Sequence, residues 1–221
     1  NMTKLLRYSV ELYHELPGET GQEVDFHACG SVRLAFTPDQ VDDFPRRLGI
    51  AGLLGFSGEL IGPERVAELF PLARVDDVLA AAYVPSDGYV DPTGVTQALA
   101  KGATGKGAEI VRRAPVTGMQ HDGQCWRIET PKGEIRAEIV VNAAGQWARQ
   151  LGRLVGLELP IIPLEHHYLI TEPVPEVAAL DIELPVLRDT RSSFYVRAEH
   201  DALLVGPFEP HTVPWSMDGV P

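Results

Sequence analysis

One segment constrains the fold more than any other. Ala137–Leu154, AEIVVNAAGQWARQLGRL, carries the apolar β-branched run Ile139-Val140-Val141 straight into Asn142-Ala143-Ala144-Gly145, and a helical pattern follows from Trp147 to Val155. A buried strand that feeds a helix through small residues reads as a strand–turn–helix unit. The small side chains let backbone approach another group closely. A helix N-terminus at that point presents unpaired N–H groups, which suit anions. On the residues alone, the turn either packs tightly against a neighbouring helix or meets a ligand.

The remaining pattern mixes helices with hairpin-linked strands. Thr3–Leu16 has helical spacing and meets stop signals at Pro17-Gly18. Phe26–Phe36 reads as an extended segment bent at a glycine. Thr37 is the expected N-cap of a helix over Pro38–Leu54, and Gly62-Pro63-Glu64 opens a shorter one ending at Phe70. After a strand at Leu79–Val84, Asp91 caps a helix with Pro92 at its first position, running to Lys101. Strands are predicted at Glu109–Met119, Gln124–Thr130 and Glu134–Val141, with a hairpin turn at Asp122-Gly123. Beyond Pro160, strands are predicted at Leu164–Thr171, Leu184–Leu187, Phe194–Arg197 and Ala202–Val205. There is no run of βαβ units, so the expected class is α+β, with a mostly antiparallel sheet built largely from the segments after Pro160. The softest boundary is Leu157–Pro160.

Composition excludes several functions. The net charge of -12 argues against nucleic acid and against an anionic membrane surface. No run of eighteen apolar residues exists, so no membrane span is expected. The two cysteines, Cys29 and Cys125, form no C-x-x-C; free thiols in a reducing compartment, the cytoplasm, are the expectation, and no metal site is. Gly102-Ala103-Thr104-Gly105-Lys106-Gly107 has the wrong spacing for a phosphate loop and follows a helix, so it reads as a helix exit.

Val140-Val141-Asn142-Ala143-Ala144-Gly145, with Trp147-Ala148 after it, resembles the strand–turn–helix of FAD-dependent oxidoreductases of the D-amino-acid-oxidase class. The run Pro160–Pro175, containing Glu165-His166-His167-Tyr168, resembles the proline-bounded active-site strand of the dimethylglycine and sarcosine dehydrogenases. The opening helix, Cys29-Gly30-Ser31, Tyr83–Pro92 and the ending from Glu209 are similar to that family too, in the same order.

That resemblance implies roles. His166 matches a histidine near the flavin that takes or orients a proton, and Tyr195 matches a tyrosine bordering substrate and flavin. Val116 matches a position whose main chain meets the adenine, and Ala143, Ala144 and Gly145 form the turn beside the FAD. Adjacent strand residues face opposite sides, so only one of His166 and His167 can point into a site, and His166 and Tyr195 must share a face if both act. An imidazole can relay a proton near neutral pH, leaving the amine lone pair to assist oxidation. The substrate carboxylate calls for an arginine, and Arg188, Arg191 and Arg197 all lie in the right region.

The family begins its FAD site with a glycine-rich strand–turn–helix, and no G-x-G-x-x-G occurs here. The chain is therefore expected to be an internal piece whose partner is the remainder of the flavoprotein. Residues 1–159 would mix parts of the FAD-binding and substrate domains, and 160–221 would continue the substrate-binding sheet. The expected cofactor is FAD, with folate held by a part that nothing here resembles. The expected reaction is oxidation of a small amino acid, an N-methylated glycine. The alternatives are a related flavoprotein acting on a hydroxy acid, and a non-catalytic binding protein that keeps the fold.

Overall fold

The first helix, α1 (Met2–Thr20), runs past the point where Pro17-Gly18 should stop it. Proline inside a helix costs about 3 kcal/mol, and tertiary packing offsets it. Leu16 is buried with Val24, Val95 and Ala98, which docks the last turn against a later helix. The helix ends where Gly21 takes a positive φ and donates its N–H to the Pro17 carbonyl. The computed structural model describes residues 2–216.

Gly30, at φ +84°, bends the chain into β1 (Ser31–Ala35). α2 (Pro38–Leu53) starts as the sequence predicts: Thr37 accepts from the Gln40 N–H and the Gln40 side chain reaches back, a reciprocal capping box. β2 (Glu59–Ile61), α3 (Pro63–Leu69) and β3 (Ala80–Val84) follow. Asp91 caps α4 (Pro92–Gly105) by accepting from the N–H groups of Thr93 and Gly94. This helix is a turn longer than expected and absorbs most of the glycine run at 102–107.

From Glu109 the chain builds a second compact unit, comprising Glu109–His166 and Pro210–Pro221. Its three-stranded meander is β4 (Gly118–His121), β5 (Trp126–Thr130) and β6 (Gly133–Ala137), all antiparallel. The strand predicted over Glu109–Met119 is confined to its last residues, because Arg113 at φ +54° and Pro115 interrupt it. The strand predicted through Val141 stops at Ala137. Ile139 and Val141 are 79% and 80% exposed, since no strand among the described residues pairs with them. A 3₁₀ turn (Gly145–Trp147) then leads into α5 (Ala148–Arg153).

At His167 the chain returns to the first unit, which comprises Asn1–Ala108 and His167–Glu209. The strand predicted at Leu164–Thr171 shrinks to β7 (Leu169–Ile170) and an isolated bridge at Leu164. The run changes units between His166 and His167, so it cannot serve as one ladder. Neither histidine lies in a strand, and the alternation rule no longer decides where they face. After α6 (Pro175–Ala178) come β8 (Val186–Asp189), β9 (Phe194–Glu199) and β10 (Ala202–Pro207).

The seven-stranded sheet has the order β2-β3-β1-β8-β9-β10-β7. Every pair is antiparallel except β1·β8, so the α+β class holds. Four of its seven strands follow Pro160, the larger share expected of the later segments, and β1, β2 and β3 precede it. On one face Val32, Leu34, Leu187 and Val196 pack with Val66 and Phe70 of the α3 segment. Alternation then puts Arg33, Arg188, Tyr195 and Arg197 on the opposite face.

Candidate active-site face

Tyr195 sits in a cross-strand row on that second face. Arg33 on β1 is in register with Arg188 on β8, Arg188 with Tyr195 on β9, and Tyr195 with Gly206 on β10. The tyrosine ring covers Gly206, where a side chain would collide with it, and its other contact is a tilted packing with Phe208 at 5.5 Å. Gly206 is buried, Tyr195 and Arg33 are half-buried, and Arg188 is exposed.

The three arginines considered for the substrate carboxylate now separate. Arg191 pairs with Asp77 at 2.5 Å and stacks over Phe36 at 4.1 Å. Arg197 pairs with Glu199 at 2.6 Å and covers the Tyr89 ring at 4.3 Å. The Arg188 side chain makes no ion pair or hydrogen bond among the described residues.

Sequence reading missed a polar cluster at the end of β9. His27 stacks on Tyr89 with ring centroids 4.7 Å apart, and its nitrogens reach Glu183 at 2.5 Å and Asp25 at 3.1 Å. These residues and Arg197 line a cavity of about 680 Å³. Burial, and then the charge of Glu183, raise the Tyr89 pKa and that of the nearby Cys29 thiol. The partners come from segments more than 150 residues apart, so no local pattern signals them.

In the second unit, Val116 lies in irregular chain just before β4, and its main chain makes no hydrogen bond among the described residues. The turn at 142–145 is organised by Asn142, whose Nδ2 donates to the Ala148 carbonyl and whose Oδ1 accepts from the Ala144 N–H. Gly145 has φ +54° and open space around it. The small-residue turn with open space at Gly145, and the main chain of Val116 with no internal hydrogen bond among the described residues, leave room and polar backbone for a ligand such as FAD. His166 is exposed, next to Glu165, whose N–H donates to the Val213 carbonyl. His167, in the first unit, is tied to Glu209: its N–H donates at 3.3 Å and its Nδ1 lies at 3.4 Å. Cys29 and Cys125 are both free thiols. Among the described residues no helix is long and apolar enough to cross a membrane, and no trio of His, Cys, Asp or Glu side chains is placed to hold a metal.

The chain belongs to the FAD dependent oxidoreductase family, which its residues 1–219 match. Among curated proteins it is 46% identical over 228 residues to human dimethylglycine dehydrogenase, a match covering 100% of this chain and 26% of that one. It is 36% identical over 219 residues to the mouse pyruvate dehydrogenase phosphatase regulatory subunit, covering 98% of this chain and 25% of that one. Both relatives are named as mitochondrial, which gives the cytoplasmic expectation no support. Among solved structures, L-proline dehydrogenase from P. horikoshii superposes with a TM-score of 0.83 at 28% identity, over 96% of this chain and 56% of that one. The chain thus spans about a quarter of the length of the curated relatives it matches.

Proposed function

We propose that the chain is the substrate-side part of an FAD-dependent enzyme that oxidises N-methylated glycines. The supporting observation is the 46% identity to dimethylglycine dehydrogenase along the whole chain. Bound FAD would supply the hydride acceptor for the carbon next to nitrogen. The Val116 main chain would meet the adenine, and the turn Ala143-Ala144-Gly145 would lie beside the cofactor. His166 would take or relay the amine proton, because only the neutral amine has a lone pair to assist oxidation. The Tyr195 hydroxyl would hydrogen-bond the substrate, its ring held by Gly206 and Phe208. Folate would be held by a part outside these residues.

A second reading has its own support. The regulatory-subunit relative, at 36% identity, is named for regulation rather than for oxidation, so a non-catalytic protein that keeps the fold is the alternative.

The test uses the longest reading frame that contains this chain. The purified protein should carry a flavin absorbance band that bleaches anaerobically with dimethylglycine or sarcosine. His166→Ala should slow bleaching by roughly 10²–10⁴-fold, the usual worth of a positioned acid–base group. Tyr195→Phe should cost less, since one hydrogen bond goes while the ring packing stays. His167→Ala should have little effect on the chemistry beyond loosening Glu209. Flavin that bleaches only with a hydroxy acid would overturn the amine reading, and an intact protein without flavin would favour the regulatory one.

A further inference from the structure

His27 stands at a junction of three segments that are distant in sequence. Its backbone bridges Tyr89, in the loop between β3 and α4, through hydrogen bonds of 2.9 and 3.1 Å. Its ring stacks on the Tyr89 ring. Its Nδ1 lies 2.5 Å from Glu183, in the connection between α6 and β8, and its Nε2 lies 3.1 Å from Asp25. The stretch at 181–184 needs such a tie. Its N–H groups make no backbone hydrogen bond among the described residues. Side chains hold it instead: Leu184 is buried in the core, and Glu183 reaches His27. Ile182, Glu183 and Leu184 form one wall of the 680 Å³ cavity.

The proton count of the ring decides how much of this tie exists. A neutral imidazole has one N–H and one lone pair, whereas an imidazolium has two N–H groups. Both nitrogens of His27 face carboxylates, which only accept. Neither neutral tautomer satisfies both contacts, and each would set a lone pair against a carboxylate. The imidazolium satisfies both and adds charge to each bond. Imidazole is the side chain whose ordinary range spans pH 5 to 8.

The other charged and titratable groups around the ring leave it as the responsive one. On its own segment lies Cys29, and across from it Tyr89; burial, and then Glu183, raise both, so both stay neutral in that window. Asp87 accepts from the Gly88 N–H. On β9, Arg197 is held by Glu199 at 2.6 Å and lies over the Tyr89 ring. His200 and Asp201 line the far side of the cavity. The His200 side chain is 89% exposed and 3.7 Å from Glu199.

We propose that His27 is a proton-operated clasp on the cavity wall. With two protons it ties Asp25 and Glu183 together and holds the connection at 179–185 closed. With one proton it keeps a single, uncharged hydrogen bond, and the wall loosens. The closing contribution is present on the acid side of the imidazole range and is lost as pH rises through it.

The test follows amide hydrogen exchange in the full-length protein between pH 6 and pH 8.5, each rate divided by its intrinsic rate at that pH. The reporters are the amides of His27, Gly30 and Val186, which bond to Tyr89, Asp87 and Gly30 and so stitch the clasped segments together. Their protection should fall by roughly three- to tenfold across this range, the difference between a charged and a neutral hydrogen bond at a partly exposed site. The Ile128 amide, in the second unit's meander, should keep its protection. His27→Gln carries a donor and an acceptor at every pH, so its profile should be flat at the level that wild type reaches at pH 8.5. Glu183→Gln should flatten the profile too, and carries the test alone should His27→Gln fail to fold. His200→Gln should keep the wild-type slope. A flat wild-type profile would overturn the clasp, as would a slope that survives in His27→Gln or Glu183→Gln. A slope lost in His200→Gln would place the proton at the other histidine and overturn it as well.

Discussion

The ring of Tyr195 packs over Gly206, its cross-strand partner, in a space that only a glycine leaves open. Gly206 has no positive φ, so its backbone tolerates any residue and the constraint is purely steric. Gly206→Ala should displace the ring at a cost of about 1–3 kcal/mol, the usual range for overpacking. Adding Tyr195→Ala should recover most of that stability but none of the substrate binding. Thermal unfolding of the single and double variants measures the coupling; additive effects would show that the ring does not rest on Gly206.

Gly88 and Gly49 make a contrasting pair. A side chain at Gly88 would run into the His27 carbonyl, which accepts the Tyr89 N–H at 3.1 Å in the bridge between His27 and Tyr89. Backbone cannot step aside as a flexible side chain can, so Gly88→Ala should cost at least about 2 kcal/mol. Gly49 sits inside α2 with open space around it. Gly49→Ala should stabilise by roughly 0.5–1 kcal/mol through helix propensity. Urea midpoints of the two variants should move in opposite directions.

Asp122 holds the β4–β5 turn. Its carboxylate accepts from the N–H groups of Cys125 and Gln124, both at 2.9 Å, and from Arg136 at 2.7 Å. The two backbone donors, and then Arg136, keep it far below the usual carboxylate range. A depressed folded pKa means stability that is present above the unfolded value, about 4, and lost as pH falls through the folded one. Asp43, Asp77 and Glu158 are lowered as well, so the whole protein weakens in acid. The difference between wild type and Asp122→Asn isolates this one group. It should be largest at neutral pH and shrink steadily below about pH 4, read by hydrogen exchange at the Cys125 amide.

Cys29 should be a slow thiol. Burial comes first and the charge of Glu183 second in raising its pKa, and only the thiolate is nucleophilic. In a Cys125→Ser background, alkylation at pH 7.5 should be slower than for an unhindered cysteine peptide. Glu183→Gln should speed it by roughly a few-fold, by removing the nearby negative charge. A slower reaction in that variant would mean that access, rather than ionisation, limits the thiol.

What the sequence announces is local chemistry. Thr37 with Gln40, and Asp91 with Pro92, mark two helix starts because every partner lies within a few residues. Pro17 misleads for the opposite reason: its helix continues on the strength of packing against Val95 and Ala98, about eighty residues away. The apolar run at Ile139–Val141 has the composition of a strand, but strand formation requires a partner that the described residues do not supply. Tyr195 was visible as a strand aromatic. Arg33 was not visible as its neighbour, because the register of two strands is written in neither of them alone.

That parallel junction also dictates an order of events during synthesis. Thr190, just past β8, donates to the carbonyl of Leu34 in β1 across 156 residues. A nascent chain offers β1 to solvent with one edge satisfied by β3 and the other bare until β8 has left the ribosome. A bare, apolar-lined edge invites pairing with the wrong strand, and late long-range closure slows folding. Translation speed and chaperone supply over the intervening stretch should therefore govern how much of this protein reaches its native state, independently of how stable that state is once formed.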